Sequence, residues 1–460
     1  MNHDELRHWS KRAADWAADY HAGLRQRPVR PPVQPGTVAA ALPETAPEAP
    51  EPMERIFEDF ERIVPDAMTH WQHPRFFAYF PANAAPASML AEQLVNAMAC
   101  QAMLWQTSPA ATEIEMAMMR WLREALGLPP GFTGTIHDSA TTATLSAVLT
   151  MRERALDWAG VEQGLSGQPR LRLYASAETH SSVDKAVRIA GIGQENLVKV
   201  PTDHDHAMRP GALAGAIAAD KAAGFVPAGV ILCAGGTSIG AFDRIGDCIA
   251  VARAHDLMTH VDAAWAGSAM ICPEFRPLWQ GVEAADSIVF NPHKWLGAQF
   301  DCAVQFLADP GPQVRTLGLN PAYLVTAEGG VPDYNAWTVP LGRRFRALKL
   351  WFLLRAYGLD GLRARIRNHV AWAAEAARAI ADIPGCEVVT GPSLSLFTFA
   401  AGDDAATEAL LKRIEADGRI FLSPTRHEGR SLIRVQVGQF DCTAEDVAMI
   451  PRVVAELIRT

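Results

Sequence analysis

The chain has 460 residues, 49% hydrophobic and 20% charged, with a formal net charge of −9. That length buries a large core and predicts two domains plus an arm, and an acidic balance without a basic stripe excludes nucleic acid as the main partner. Seven scattered cysteines with no C-x-x-C pair argue against a disulfide framework or a metal site and for a reducing compartment; with no signal-type N-terminus and no membrane-length apolar run, a cytoplasmic protein without a membrane partner is expected.

Residues 4–25 read as a helix with Leu6, Trp9, Ala13, Trp16 and Tyr20 on one stripe, which needs an apolar partner such as another subunit. From Arg27 to Pro52 prolines crowd into an extended arm, and Ile56 to Met68 is a second amphipathic helix. The stretch Thr69 to Pro81 is aromatic and proline-bounded, so it either fills core or walls an apolar pocket. Residues 86–127 are rich in helix formers and end at Gly127. Then strands at 171–175, 197–200, 229–234, 258–261, 287–290 and 303–307 alternate with helices at 139–158, 181–191, 210–223 and 245–255. This alternation predicts an α/β fold, a mostly parallel sheet with ligands at the carboxyl ends of its strands. Helices follow at Arg343 to Tyr357 and Leu359 to Ile380. After Pro384, strands near 386–390, 394–400 and 432–437 and helices near 404–416 and 443–458 read as a smaller α+β domain. The expected division is an arm at 1–85, a large domain at 86–350 and a small one at 351–460.

Six stretches carry candidate chemistry. Lys294 follows the apolar run Ser287 to Phe290 and Pro292, so it stands at a strand end as either a surface lysine or the covalent anchor of a carbonyl cofactor. Asp262, at the end of an earlier strand, either caps a turn or pairs with a protonated ring nitrogen above the small Ala263, Ala264 and Ala266. Ser139, Thr141 and Thr142 open a helix, as simple caps or as a phosphate cradle with the free N–H groups of its first turn. His180 begins another helix; it is a locally bonded histidine or a ring that stacks on a cofactor and moves protons near neutral pH. Thr237 sits in a Gly-rich turn after a strand, and Tyr323 lies between Pro321 and the pair Gly329-Gly330, a loop with one obvious proton carrier. The order of phosphate-type helix start, histidine, aspartate and lysine matches a cofactor with a phosphate, a flat pyridine ring and an aldehyde. That cofactor is pyridoxal 5′-phosphate.

At Asn291-Pro-His-Lys-Trp295, preceded by His260-Val-Asp-Ala-Ala-Trp-Ala-Gly-Ser-Ala269, the sequence resembles the group II pyridoxal-phosphate decarboxylases, nearest to the aromatic-L-amino-acid decarboxylase branch. The likeness extends to Thr69-His-Trp-Gln-His-Pro74, Thr179-His-Ser-Ser-Val-Asp-Lys185 and Pro340-Leu-Gly-Arg-Arg-Phe-Arg-Ala-Leu-Lys349. It implies the type I aminotransferase-like fold and a homodimer with active sites at the interface and an N-terminal arm around the partner. It also implies that Lys294 is the Schiff-base lysine, Asp262 the partner of the pyridine nitrogen and His180 the stacking ring. Ala140, Thr141 and Asn291 match cofactor-binding positions, with His293 and Thr237 nearby as further cofactor contacts, and Tyr323 matches the tyrosine that protonates the substrate carbon. The implied reaction is decarboxylation of an aromatic L-amino acid (phenylalanine, tyrosine, dopa or tryptophan) to an arylalkylamine.

For the substrate ring, the resemblance points to Trp71, Tyr79, Phe80, Pro81, Ala82, Gln101, Met103 and Gly342. Ala82, Gln101 and Met103 depart from animal members, which weakens the case for strict catechol preference. Gly342 stands where indole-preferring plant members carry Gly and tyrosine-preferring ones Ser. The competing activity is aromatic aldehyde synthesis, whose enzymes usually replace the loop tyrosine with Phe or the stacking histidine with Asn. Tyr323 and His180 are both present, which favours amine formation.

Overall fold

In the computed structural model, which describes residues 1–319 and 330–459, the chain forms two compact units. One comprises Met1–Pro81, Trp372–Val389 and the stretch from Thr398 on; the other comprises Ala82–Ala371 and Thr390–Phe397.

The second unit is built on seven strands: β1 (Thr133–His137), β2 (Leu171–Ser176), β3 (Leu197–Val200), β4 (Val226–Cys233), β5 (Met258–Asp262), β6 (Ser287–Phe290) and β7 (Ala303–Leu307). Their order is β1-β7-β6-β5-β4-β2-β3. Strands β2 to β6 pair in parallel, and β7 is antiparallel to both its neighbours. This is the mostly parallel sheet that the alternation predicts. Every residue of β5 and β6 is buried, so both faces are covered and the strands read as continuous apolar runs. Register aligns Cys233 with Asp262 and Asp262 with Val289, which levels the carboxyl ends of β4, β5 and β6. The long helix Ala347–Ala381 is broken at Gly358, whose φ of 62° and ψ of 164° suit only glycine comfortably.

The helix expected from Arg343 begins only at Ala347. Arg343 is buried and has other partners: its guanidinium donates to Glu115 Oε1 at 2.6 Å, Thr135 Oγ1 at 3.0 Å and the Ile136 carbonyl at 2.9 Å. Lys349 is fully buried and paired with Glu92 at 2.7 Å. It also donates to the carbonyls of Gln299 and Asp301 at 3.1 and 2.9 Å. Such cations are tolerated inside only because every charge is matched.

In the first unit, the helix His3–Gly23 starts in a reciprocal capping box between Asn2 and Glu5. It packs on the helix Met53–Ile63, with ring centroids 5.6 Å apart for Trp9 and Phe57 and 4.8 Å for Trp16 and Phe60. Part of the stripe therefore finds its apolar partner within the chain, while Leu6 stays 49% exposed. The aromatic stretch before Pro81 is core filling in part: Phe76 and Ala78 cluster with Val29 and Phe421, and the Phe77 N–H donates to the Phe421 carbonyl at 2.9 Å.

The remaining strands, β8 (Cys386–Ser393), β9 (Leu396–Ala401), β10 (Ser423–His427) and β11 (Arg430–Gln436), form a second sheet in the order β10-β11-β9-β8. Strand β10 escapes sequence reading because Ser-Pro-Thr-Arg-His lacks apolar alternation; it lies at an edge, where Pro and Arg are accepted. Among the described residues no helix is long and apolar enough to cross a membrane.

Candidate active site

The carboxyl ends of β2, β4, β5 and β6 deliver His180, Thr237, Asp262 and Lys294 to one edge of the sheet. Asp262 is the last residue of β5 and is buried. Its Oδ1 accepts the Ala264 N–H at 3.1 Å, a turn bond that fixes the carboxylate at the sheet edge. Small residues follow it, and the turn after β4 closes over them: a Cβ at Gly235 would meet Ala266 Cβ at 2.5 Å and Trp265 Nε1 at 2.8 Å. Trp265 Nε1 donates to the Gly235 carbonyl at 2.6 Å, and Thr237 continues this turn, half-buried.

His180 has an open edge and a committed one. Its Nδ1 accepts the Ser182 N–H at 3.1 Å and lies 2.9 Å from Ser182 Oγ. A backbone N–H can only donate, so Nδ1 carries no proton and Nε2 carries it. Burial holds its pKa below the usual imidazole value; the Asp262 carboxylate pulls it up and the Lys294 ammonium pushes it down. Both charged groups therefore act on the His180 ring.

Lys294 sits in the wide turn Pro292–Leu296. The Gly297 and Ala298 N–H groups both reach back to the Pro292 carbonyl at 3.0 Å; the first is the i→i+5 closure common at functional sites. Lys294 N–H donates to the Asn291 carbonyl at 2.9 Å, and the lysine side chain is half-buried. On one side of it, Asn291 Oδ1 is buried without a hydrogen bond among the described residues. His293 is buried too; its Nδ1 accepts the Cys302 N–H at 2.8 Å. Burial, with Lys294 next, pushes His293 down to about 3, so the ring is neutral. Behind it the Trp265 and Trp295 rings stand 5.3 Å apart.

The helix Ala140–Ala155 starts directly after β1. Its cap is self-contained. Ser139 Oγ accepts the Thr142 N–H at 3.2 Å, lies 2.9 Å from Thr142 Oγ1 and donates to Asp138 Oδ1 at 3.1 Å. Thr142 Oγ1 also donates to Asp138. An adjacent carboxylate thus takes up both hydroxyls, while Ala140 and Thr141 are half-buried at the positive end of the helix dipole.

The residues foreseen for the substrate ring fall in both units. In the first, Trp71 and Tyr79 stack with centroids 5.9 Å apart, and Phe80 lies under the Arg434 guanidinium at 4.4 Å, with Pro81 buried beside it in sequence. In the second, Gln101 and Gly342 adjoin: a Cβ on Gly342 would meet the Gln101 amide at 3.4 Å. Gln101 Oε1 accepts the Arg343 N–H at 3.2 Å, and the Met103 carbonyl accepts that of Asn335 at 3.0 Å. Gly342 lines a cavity of about 110 Å³ with Asp138, Thr142, Thr338 and Arg343. Ala82 precedes Asn83, described below. Tyr323 lies outside the described residues.

Two residues escaped sequence reading. Asp243 is buried; it accepts the Met208 and Cys233 N–H groups at 2.7 Å each, and burial pushes its carboxyl up to about 6. Asn83, 1% exposed, touches the lysine turn. Neither carried a local signal: Asn83 stands between two alanines, and Asp243 between Phe242 and Arg244.

A lysine, a buried aspartate and a neutral histidine at the ends of parallel strands, with a helix start nearby, define a pyridoxal-phosphate enzyme of the type I fold. The donor set fits that cofactor: a cation for its aldehyde, an anion for its ring nitrogen, an uncommitted buried amide oxygen and a floor of alanines. The model of the pyridoxal-dependent decarboxylase conserved domain matches residues 35–401, and the chain belongs to that family. It is 41% identical over 454 residues to aromatic-L-amino-acid decarboxylase from Sus scrofa, covering 95% of this chain and 93% of that one. The crystal structure of Oryza sativa TDC with PLP and tryptamine superposes with a TM-score of 0.96 at 33% identity, over 100% of this chain and 98% of that one. Rhodiola rosea 4-hydroxyphenylacetaldehyde synthase gives 0.93 at 32%, over 100% and 99%. The protein is a pyridoxal-phosphate-dependent decarboxylase.

Proposed function

We propose that the protein decarboxylates aromatic L-amino acids, of the phenylalanine, tyrosine, dopa and tryptophan class, to the corresponding arylalkylamines and carbon dioxide. The observation that carries this is the convergence of Lys294, Asp262 and His180 at the carboxyl ends of parallel strands of one sheet, with both charged groups acting on the His180 ring. Bound pyridoxal phosphate supplies an electron sink for the bond to the departing carboxylate. Lys294 is its covalent anchor. Asp262, buried and fixed through Ala264, keeps a negative charge at the ring nitrogen. The N–H groups of Ala140 and Thr141 hold the phosphate with the helix dipole, and Thr237, Asn291 and His293 complete the cofactor contacts. His180, proton on Nε2, stacks on the ring and passes protons from that atom.

Tyr323 gives the final proton to the α-carbon. Tyr323→Phe is expected to leave cofactor binding intact and cut amine release roughly 10²- to 10⁴-fold, the range of a positioned general acid. Amine yield, cofactor absorbance and peroxide are measured together; normal amine yield would place the proton donor elsewhere.

By the family resemblance, Trp71, Tyr79, Phe80, Pro81, Ala82, Gln101, Met103 and Gly342 are the candidates for contact with the substrate ring. Gly342 carries no positive φ, and the nearest obstacle to a side chain there is the end of Gln101, so a serine is accommodated by a small shift. Gly342→Ser is expected to move kcat/KM from tryptophan toward tyrosine by about 10-fold, the discrimination typical of a small change in pocket size. An unchanged ratio would remove Gly342 from the pocket.

The protein works as a cytoplasmic homodimer with active sites at the interface. In this reading the segment 1–85 serves the dimer, 86–350 holds the cofactor and 351–460 is the smaller domain. Support comes from the family resemblance and from exposed apolar residues such as Leu6, Leu90, Leu94 and Met98. The second reading is oxidative conversion to the aldehyde, with ammonia and peroxide. A solved aldehyde synthase has the same fold, so fold does not choose the product; His180 and Tyr323 favour the amine.

A further inference from the structure

We propose that Asn83 is a positioning residue for the reaction: it sets the conformation of the turn that carries Lys294. The inference rests on Lys294 being the covalent anchor. In an ordinary α-turn the Gly297 N–H would pair with the His293 carbonyl and the Ala298 N–H with the Lys294 carbonyl. Here both N–H groups are diverted to Pro292. The two carbonyls that flank the reactive residue thereby lose their donors inside the turn, and buried carbonyls require replacements. Asn83 supplies both. Its backbone N–H donates to the His293 carbonyl at 2.8 Å, and its side-chain Nδ2 donates to the Lys294 carbonyl at 2.5 Å.

The contact continues on either side. The Phe300 N–H donates to the Asn83 carbonyl at 3.2 Å, and the Ala85 N–H to the Gly297 carbonyl at 3.0 Å. The segment 83–85 is therefore a brace along the turn, and the Asn83 side chain makes the one bond to Lys294 that a backbone alone could not make. Aspartate at this position has the same shape but no N–H. When ionised, it sets an acceptor against the carbonyl; when protonated, its O–H restores a donor. Burial raises a carboxyl pKa, so the donor returns as pH falls.

The test compares wild type, Asn83→Ala and Asn83→Asp, with Lys294→Ala as control. In Asn83→Ala, kcat is expected to fall about 100-fold, as for a slight misplacement of a reacting group. The pH midpoint of the visible band of the lysine-bound cofactor is expected to shift. In the cofactor-free chain, amide exchange across residues 292–300 should accelerate. Asn83→Asp should match Asn83→Ala at high pH and recover toward wild type as pH falls. Wild-type kcat, band midpoint and exchange in both variants would overturn the inference. So would a lower Tm with an unmoved band midpoint, the mark of a merely structural role. Should Asn83→Ala fail to fold, the pH-dependent recovery of the isosteric Asn83→Asp decides, and its absence counts against the inference. The control separates the layers. If Lys294→Ala keeps the band, the lysine assignment fails; if it loses the band while the Asn83 variants titrate as wild type, only the positioning role fails.

Discussion

Lys294→Ala is expected to abolish the visible absorbance of the lysine-bound cofactor and to lower turnover by roughly 10⁴-fold, the upper range for a positioned group that also moves protons. The reason is local. Lys294 stands in a wide turn at the end of β6, its carbonyl held by Asn83 and its own N–H by Asn291. Lys349, the nearby buried lysine, is committed to Glu92 and to the carbonyls of Gln299 and Asp301, so it is not available to replace Lys294. The check is an absorbance spectrum after cofactor addition and dialysis, with turnover measured alongside; an unchanged spectrum would mean that the anchor is another residue.

Asp262→Ala is the second large effect. The carboxylate is buried, and in the proposed site it faces the ring nitrogen. Deleting one member of a buried charge pair costs about 3–5 kcal/mol, which at 1.36 kcal/mol per decade is roughly 10²- to 10⁴-fold. That loss is expected to divide between weaker cofactor binding and slower decarboxylation, because the ring nitrogen loses both a ligand and the charge that keeps it protonated. Asp262→Asn separates the two: the amide keeps the shape and a hydrogen bond, so binding recovers more than turnover. Equilibrium dialysis of the cofactor and single-turnover release of carbon dioxide measure each. Wild-type turnover in Asp262→Ala would refute the pairing.

Much of this was legible in the chain itself. Strands of a covered sheet appear as short apolar runs, so β2 to β7 stand out. The residues just past their ends, His180, Asp262 and Lys294, are polar exceptions where ligands gather. The hidden parts depend on which partner a side chain takes. Asp138 stands next to Ser139, but the sequence alone does not say that it takes the hydroxyls of Ser139 and Thr142. Arg343 and Lys349 read as helix residues until Glu115 and Glu92, more than two hundred positions earlier, are seen beside them. Asn83 has no local pattern at all: its role arises because a turn 211 residues later leaves two carbonyls without donors.

The central claim, non-oxidative decarboxylation of aromatic amino acids, is tested most directly by product stoichiometry. Phenylalanine, tyrosine, dopa, tryptophan and 5-hydroxytryptophan are each supplied to the holoenzyme, and carbon dioxide, amine, aldehyde, ammonia, oxygen and peroxide are followed together. One amine per carbon dioxide with no oxygen uptake, for at least one of these substrates, is the predicted result. Aldehyde, ammonia and peroxide rising in step with carbon dioxide, or no carbon dioxide from any of them, would contradict it.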